Sequence, residues 1–175
     1  MINRLPFKYL EGEKDLVGVE IGVDRGTNAL NILQNLDIKR LYLIDPYDSW
    51  LGEGKKAGSE IAYAEAVEKL KDFRDKIVWI LKKSEYAVDN VECDLDFIYI
   101  DGHHGYEYVK KDLELYVPKV RKGGLITGHD FDYRDVHIAV IEYFKDKIIG
   151  YCKDKDEGSV DWFYIDSNVE EYNGK

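Results

Sequence analysis

The chain has 175 residues and a formal net charge of −10, from 25 Lys and Arg against 35 Asp and Glu. With 45% hydrophobic and 34% charged residues, it has the composition of a folded chain long enough to bury a core, not of a disordered one. The acidic balance disfavours nucleic acid and anionic membrane as partners, since phosphate contact needs clustered Lys and Arg. The longest apolar runs, such as Val78-Trp79-Ile80-Leu81, fall far short of a bilayer span. The stretch Met1-Ile2-Asn3-Arg4-Leu5-Pro6 lacks the apolar core of a secretory signal, and Cys93 and Cys152 lie far apart without CxxC spacing. A cytoplasmic protein with reduced thiols is expected.

In chain order, a buried strand is predicted at 16–21, followed by a helix whose stripe is Ala29, Leu30, Leu33 and Leu36, with Thr27 or Asn28 as N-cap. A second strand is predicted at 41–44. Residues 48–59, with Gly52, Gly54 and Gly58, read as the one long flexible connection. Tyr63, Ala66, Val67, Leu70 and Phe73 then share a helix face opened by Ser59. A strand follows at 77–81, a short helical piece at 85–91 and a strand at 97–100. Val109, Leu113, Tyr116, Val117 and Val120 form the next stripe, 125–127 a strand, and Val136, Ala139, Val140, Tyr143 and Phe144 the last stripe. The segments 148–152 and 162–165 are both strand-like, and the polar stretch between them is too short for a crossover helix. They are expected to pair as an antiparallel hairpin. Strand alternating with helix elsewhere requires crossover connections. The predicted fold is therefore α/β, a doubly wound seven-stranded sheet, mostly parallel with a C-terminal antiparallel hairpin, in a single domain over 1–175.

In such a sheet ligands bind outside the carboxyl ends of the strands, near the point where strand order reverses. The first tip reads Glu20-Ile21-Gly22-Val23-Asp24-Arg25-Gly26-Thr27. Gly22 allows a tight turn, and Gly26 allows close backbone approach at the start of the helix. Asp24 stands where a dinucleotide-binding G-x-G-x-x-G turn has its second glycine. The acids there suit a cationic or amine-bearing ligand better than a pyrophosphate. The second tip ends Asp45-Pro46-Tyr47, and an acid in that place can accept hydrogen bonds from ribose hydroxyls.

The densest polar groups are Asp101-Gly102-His103-His104-Gly105-Tyr106, running into a helix with Asp112, and Gly128-His129-Asp130-Phe131-Asp132. Carboxylate with imidazole is a metal-binding or general-base set. Asp and His also cap helices and hold loops. His137, inside the last helix, is expected to have no chemical role.

With these motifs the chain resembles the class I S-adenosylmethionine-dependent methyltransferases over Val17 to Ile165, whose sheet is Rossmann-like. It is most similar to a small bacterial and phage-type group with E-I-G-V-x-x-G, D-G-x-H-x-Y followed by an acid, and G-G-x-I-x-x-H-D. Glu20-Ile21-Gly22-Val23 with Gly26 matches the first motif. Asp101-Gly102, His104, Tyr106 and Asp112 match the second, and Gly123-Gly124 with His129-Asp130 the third.

The resemblance implies S-adenosylmethionine as cofactor. Glu20, Gly22 and Gly26 would surround its methionine part, Asp45 would hold its ribose hydroxyls, Ser84 would sit beside its adenine and Asp101 near its sulfonium, with Val23 and Pro46 as further cofactor contacts. Some related O-methyltransferases hold magnesium through acids at the fourth and fifth strand tips. By that likeness Asp101, Asp130 and His129 would hold Mg2+ or another divalent cation, although Phe131 stands where catechol-type enzymes have Asn. His104, His129 and Asp130 are the catalytic candidates, either imidazole serving as base toward an acceptor hydroxyl.

The expected activity is O-methylation of a small-molecule hydroxyl, with or without metal, and a homodimer is the one protein partner considered. Trp50 and Leu51 in the 48–59 loop are candidate lid and acceptor contacts. Three other readings stand beside this one: a nicotinamide-dependent oxidoreductase, a metal-dependent hydrolase built on the His/Asp groups, and a cofactor-binding module without catalysis.

Overall fold

A computed structural model describes residues 4–47, 56–153, 158 and 160–165. The strands are β1 Leu16–Ile21, β2 Ile38–Ile44, β3 Ile77–Ile80, β4 Leu95–Ile100, β5 Val120–Gly128, β6 Gly150–Lys153 and β7 Val160–Ile165. The helices are α1 Thr27–Asn35, α2 Lys56–Lys69, α3 Ser84–Ala87, α4 Tyr106–Tyr116 and α5 Arg134–Phe144. All seven strands form one sheet in the order β3-β2-β1-β4-β5-β7-β6. β7 runs antiparallel to both β5 and β6, so it is the one reversed strand, and the expected hairpin is borne out with β7 inserted beside β5.

The central stretches 41–44, 97–100 and 125–126 are apolar because both faces of the sheet are covered there. Leu41, Leu43, Phe97, Tyr99 and Leu125 point into one core, closed by Ala29, Ile32 and Leu33 of α1 and by Leu70. Tyr42, Ile44, Ile98, Ile100 and Ile126 point into the other, closed by Val109, Leu113 and Tyr116 of α4 and by Val136, Ala139 and Val140 of α5. This side-to-side alternation is the two-residue period of a strand expressed on two buried faces.

A 3-10 turn at Leu5–Leu10, not expected from the sequence, seals the first core. Its Phe7 is 1% exposed and packs edge-on against Phe97 at 5.7 Å and beside Tyr99 at 5.6 Å. At the opposite end from the ligand tips, the Asp96 carboxylate accepts from the Val17 amide (2.7 Å) and from Arg121 Nε (2.6 Å), tying β1, β4 and β5 together.

Several boundaries differ from expectation. Gly26, not Thr27 or Asn28, caps α1, in a left-handed conformation at φ +70°. A Cβ there would lie 3.2 Å from both Ala66 and Leu70, so glycine also permits the approach of α2. Residues 56–59 are the first turn of α2 and not loop. The rest of the expected lid, 48–55 with Trp50 and Leu51, lies outside the described residues. Val117–Lys119 is a 3-10 turn and Val120 already belongs to β5. Among the described residues no helix is long and apolar enough to cross a membrane.

Candidate active site

Strand order reverses between β1 and β4, and a cavity of about 1230 Å3 opens there above the strand tips. Its floor is set by glycine. Gly22 has φ +86°, and a Cβ on it would fall 2.0 Å from the Asp101 carbonyl oxygen, so no other residue lets the two tips meet. The Asp101 amide donates to the Ile21 carbonyl at 2.8 Å and the Gly22 amide to Ile44 at 2.9 Å.

Glu20, the second-to-last residue of β1, lines this cavity yet is 1% exposed. Its Oε1 accepts from Asn28 Nδ2 at 3.1 Å. Oε2 and the Asn28 Oδ1 are buried with no hydrogen-bond partner. Burial pushes the Glu20 carboxyl up to about 8, against the pull of the Asn28 bond, and the nearby Asp101 adds to the rise. A buried acceptor left unmatched costs about 1–3 kcal/mol; it is a place made for a donor, and best for a cationic one.

Asp45 at the β2 tip is already in use. Its Oδ2 accepts from the Val23 and Asp24 amides, each at 3.0 Å, and its Oδ1 from the Tyr47 amide at 2.9 Å. Tyr47 in turn donates its hydroxyl to the Asp24 carbonyl at 2.7 Å. The β2 acid therefore shapes the β1 turn, with both lone pairs of Oδ2 used and one left on Oδ1.

Across the cavity, parallel pairing aligns Ile100 with Gly128, so the residues that follow, Asp101 and His129, emerge side by side. His129 Nδ1 lies 3.5 Å from Asp101 Oδ1 and 3.3 Å from Asp130 Oδ2. His104 Nε2 lies 3.1 Å from Asp130 Oδ2 and 3.6 Å from Asp101 Oδ1. Two carboxylates and two imidazoles thus form a closed ring. Burial works against the charge on His129, but its bonds to Asp101 and Asp130 outweigh that and push it up to about 10. The bond to Asp101 raises His104 as well. Asp101 is disfavoured by burial, yet His104 and His129 hold it below the usual carboxylate range, and His129 does the same for Asp130. Asp130 itself sits at φ +54°, a conformation Asp tolerates better than most residues.

Ser84 and Asp112 also line the cavity. Asp112 is 3% exposed on the buried stripe of α4, and burial pushes its carboxyl up to about 7 despite a bond from Ser84. The Tyr116 hydroxyl donates to the Ser84 carbonyl at 2.7 Å, holding α3 against α4.

A family model described as a methyltransferase domain matches residues 19–131, which contain the cavity's glycine turn, the Asp/His ring and Ser84. The chain belongs to this family. Within it, the chain is a class I S-adenosylmethionine-dependent methyltransferase domain. It is 33% identical over 127 residues to an uncharacterized protein of Acanthamoeba polyphaga mimivirus, a match covering 69% of this chain and 54% of the viral one. The chain thus spans about half the length of that relative. A Streptococcus mutans protein solved in complex with SAH has the same fold, at TM-score 0.65 and 13% identity, over 93% of this chain and 98% of the other. So does an rRNA methylase from Streptococcus thermophilus, at TM-score 0.67 and 15% identity, over 93% and 96%.

Of the sequence candidates, Glu20, Gly22, Val23, Asp45, Pro46, Ser84, Asp101, His104, His129 and Asp130 all line this same cavity. Gly26 does not; it faces α2. The donor atoms that converge as a candidate metal set are those of Asp101, His104 and Asp130, within 4.8 Å of one another, with His104 in place of the expected His129. His103 separates from the ring. Its Nδ1 accepts from the Gly105 amide at 3.0 Å, and its ring lies 4.1 Å from that of Tyr108, so it shapes the loop. His137 packs on Phe131 at 4.6 Å. Asn28, read from sequence only as an N-cap, is the partner of Glu20; its i+8 spacing from a strand acid carries no recognisable signal. Arg4, 8% exposed, lines the cavity and pairs with Asp161 at 2.8 Å, which also accepts from the Tyr99 hydroxyl at 3.1 Å. Those partners lie 157 and 62 residues apart, beyond what local patterning can join.

Proposed function

We propose that the protein transfers a methyl group from S-adenosylmethionine to a hydroxyl of a small molecule. The observation that carries the cofactor assignment is the orphaned Glu20 Oε2, buried at the edge of the switch-point cavity. A cofactor with an ammonium group meets that acceptor with a cationic donor, which a nicotinamide dinucleotide lacks. Asp45 accepts from one ribose hydroxyl through the remaining lone pair of Oδ1, Ser84 lies beside the adenine, and Asp101 offsets the sulfonium charge. When bound, S-adenosylmethionine supplies an activated methyl group, which leaves the protein to position the acceptor, remove its proton and exclude water.

His104 is the base in this reading. Its side chain is 42% exposed at the cavity mouth while that of His129 is 14% exposed and holds its proton through two carboxylates. His129 instead orients Asp101 and Asp130, and Asp130 orients His104 and takes up part of the charge when His104 accepts the proton. A small acceptor is favoured over RNA by the net charge of −10 and by a cavity lining in which carboxylates outnumber Lys and Arg.

A metal-assisted form of the same reaction is the second reading, favoured by the convergence of Asp101, His104 and Asp130. One imidazole with two carboxylates suits manganese or zinc better than magnesium, which prefers an all-oxygen shell. The ion would lower the pKa of the acceptor hydroxyl.

Calorimetry with S-adenosylhomocysteine and with NAD tests the cofactor. Binding of the first with none of the second supports the proposal, and the reverse overturns it. Transfer of an isotopically labelled methyl group to a panel of sugar, phenol and catechol hydroxyls, with and without EDTA, then separates the two forms of the reaction.

A further inference from the structure

Two tyrosines that the fold does not bury line the cavity. Tyr108 stands near the start of α4, off that helix's buried stripe, and is 45% exposed. Tyr133 stands immediately before α5 and is 54% exposed. Single exposed apolar side chains are ordinary on a surface. Two large rings left half in water at a ligand cavity are incomplete burial that a ligand can complete.

Both are held from behind. The His103 imidazole packs on the Tyr108 ring with centroids 4.1 Å apart. Gly105 leaves room for that pair, since a Cβ there would stand 3.1 Å from His103 and 3.4 Å from Tyr108. The Tyr133 amide donates to the Asp130 carbonyl at 2.8 Å, which fixes Tyr133 to the turn that carries Asp130. Its ring lies 5.9 Å from that of His104, so a molecule lying against Tyr133 is adjacent to the base assigned above.

We infer that Tyr108 and Tyr133 form the wall that holds the methyl acceptor, and that the acceptor is an uncharged aromatic hydroxyl. This rests on the methyl-transfer reading proposed above and deepens it by naming the class of acceptor. An aromatic ring gains offset or edge-on contact with tyrosine beyond what its buried area gives, and a saturated ring does not. A sugar would bring several hydroxyls that need partners on burial, which ring faces do not supply. An anionic acceptor is disfavoured by a cavity in which carboxylates outnumber Lys and Arg. In the transfer, the acceptor oxygen bonds to the methyl carbon as the sulfur–methyl bond breaks, and the bonding pair stays on sulfur. The hydroxyl proton passes to His104, leaving an aryl methyl ether, S-adenosylhomocysteine and an imidazolium.

The test is calorimetric binding of 2-naphthol and decahydro-2-naphthol to the full chain loaded with S-adenosylhomocysteine. The two probes have the same carbon skeleton, one aromatic and one saturated; methyl β-glucoside is the sugar arm. The wild type is expected to prefer 2-naphthol to its saturated counterpart by at least about tenfold, the scale of two aromatic pairs. Tyr108→Leu and Tyr133→Leu keep apolar area and remove a ring, and each should narrow that preference by at least about threefold. Tyr133→Phe keeps the ring and should preserve it. Folding of each variant is checked by thermal melting. A merely structural role for either tyrosine would weaken both probes alike, so an unchanged ratio in either folded leucine variant overturns the inference. Equal binding of the two probes by the wild type, binding of neither, or tighter binding of methyl β-glucoside overturns it as well, while leaving the cofactor assignment in place. Failure of S-adenosylhomocysteine to bind overturns the methyl-transfer reading and the inference with it.

Discussion

Replacing Glu20 by glutamine keeps the shape of the side chain and removes its titration, which makes it the sharpest probe of the cavity. In the ligand-free protein the carboxyl is buried and is pushed up to about 8 from an ordinary value of 4.5. The folded state therefore holds the proton more tightly than the unfolded chain does. That preference is fully present below pH 4.5 and is lost as the pH rises through 8, where the buried group must ionise. The full difference corresponds to about 5 kcal/mol, and the part that falls between pH 5 and pH 8 is about 3 kcal/mol. The glutamine variant has no such loss. Urea unfolding of both proteins at pH 5, 6, 7 and 8 should show the variant gaining on the wild type by about 3 kcal/mol across that range, since titrating groups not coupled to Glu20 cancel in the difference. The same variant should bind S-adenosylhomocysteine at least about 30-fold more weakly at pH 7.5, because an amide cannot balance the ammonium charge. A stability difference that does not change with pH would refute the burial argument. Unchanged affinity would refute the ammonium assignment.

Other perturbations test the neighbouring parts. Asp45→Ala should weaken S-adenosylhomocysteine binding and also cost about 2–3 kcal/mol of stability by urea unfolding, because three backbone amides lose their acceptor; full stability would argue against its part in the turn. Asp130→Asn should reduce kcat by at least about tenfold once an acceptor is identified, with cofactor affinity within about threefold of wild type; untouched turnover would remove both the base and the metal readings. Gly22→Ala should destabilise the fold by more than about 3 kcal/mol, because its Cβ has no space beside the Asp101 carbonyl; a wild-type melting temperature would contradict the close approach of β1 and β4. Calorimetry of S-adenosylhomocysteine at pH 7 in buffers of different ionisation enthalpy should show release of about one proton, as the ligand's ammonium draws Glu20 into its charged form.

How much of this could be read in advance follows from what the sequence pattern measures. Strands buried on both faces are continuous apolar runs, so the pattern marks β1 to the residue and the interiors of the others. Where β2, β4, β5 and β7 begin is less legible; β5, for one, begins with Val120-Arg121-Lys122-Gly123-Gly124, where the pairing is held by backbone bonds and by Arg121 on Asp96. Apolarity does not see either. The N-cap of α1 differs from expectation for a similar reason. Polar Thr27 and Asn28 fit a cap by residue type, but the approach of α2 requires glycine at that position, and Asn28 is turned toward Glu20. The site was legible where it lies on one segment. That Asp101 and His129 adjoin depends on the β4–β5 register, and that Arg4 meets Asp161 depends on the closing of the whole sheet. Neither is a local property.

The ring and the two buried acids also change what the net charge means. The charge of −10 counts every carboxylate as ionised, yet the cavity holds its acids differently. Glu20 and Asp112 are pushed toward their neutral forms by burial, and Asp101 and Asp130 are held ionised by the imidazoles, of which the more buried His129 keeps its proton. The ligand-free crevice is therefore less negative than its composition. A neutral ligand finds no field there to attract it, and a polyanion meets the surface acids first. A cationic ligand can draw the proton from Glu20 and create the charge that binds it, so selectivity for a cation comes from proton exchange at one buried carboxyl. Charge that appears only on binding spares the empty fold the cost of a bare buried carboxylate.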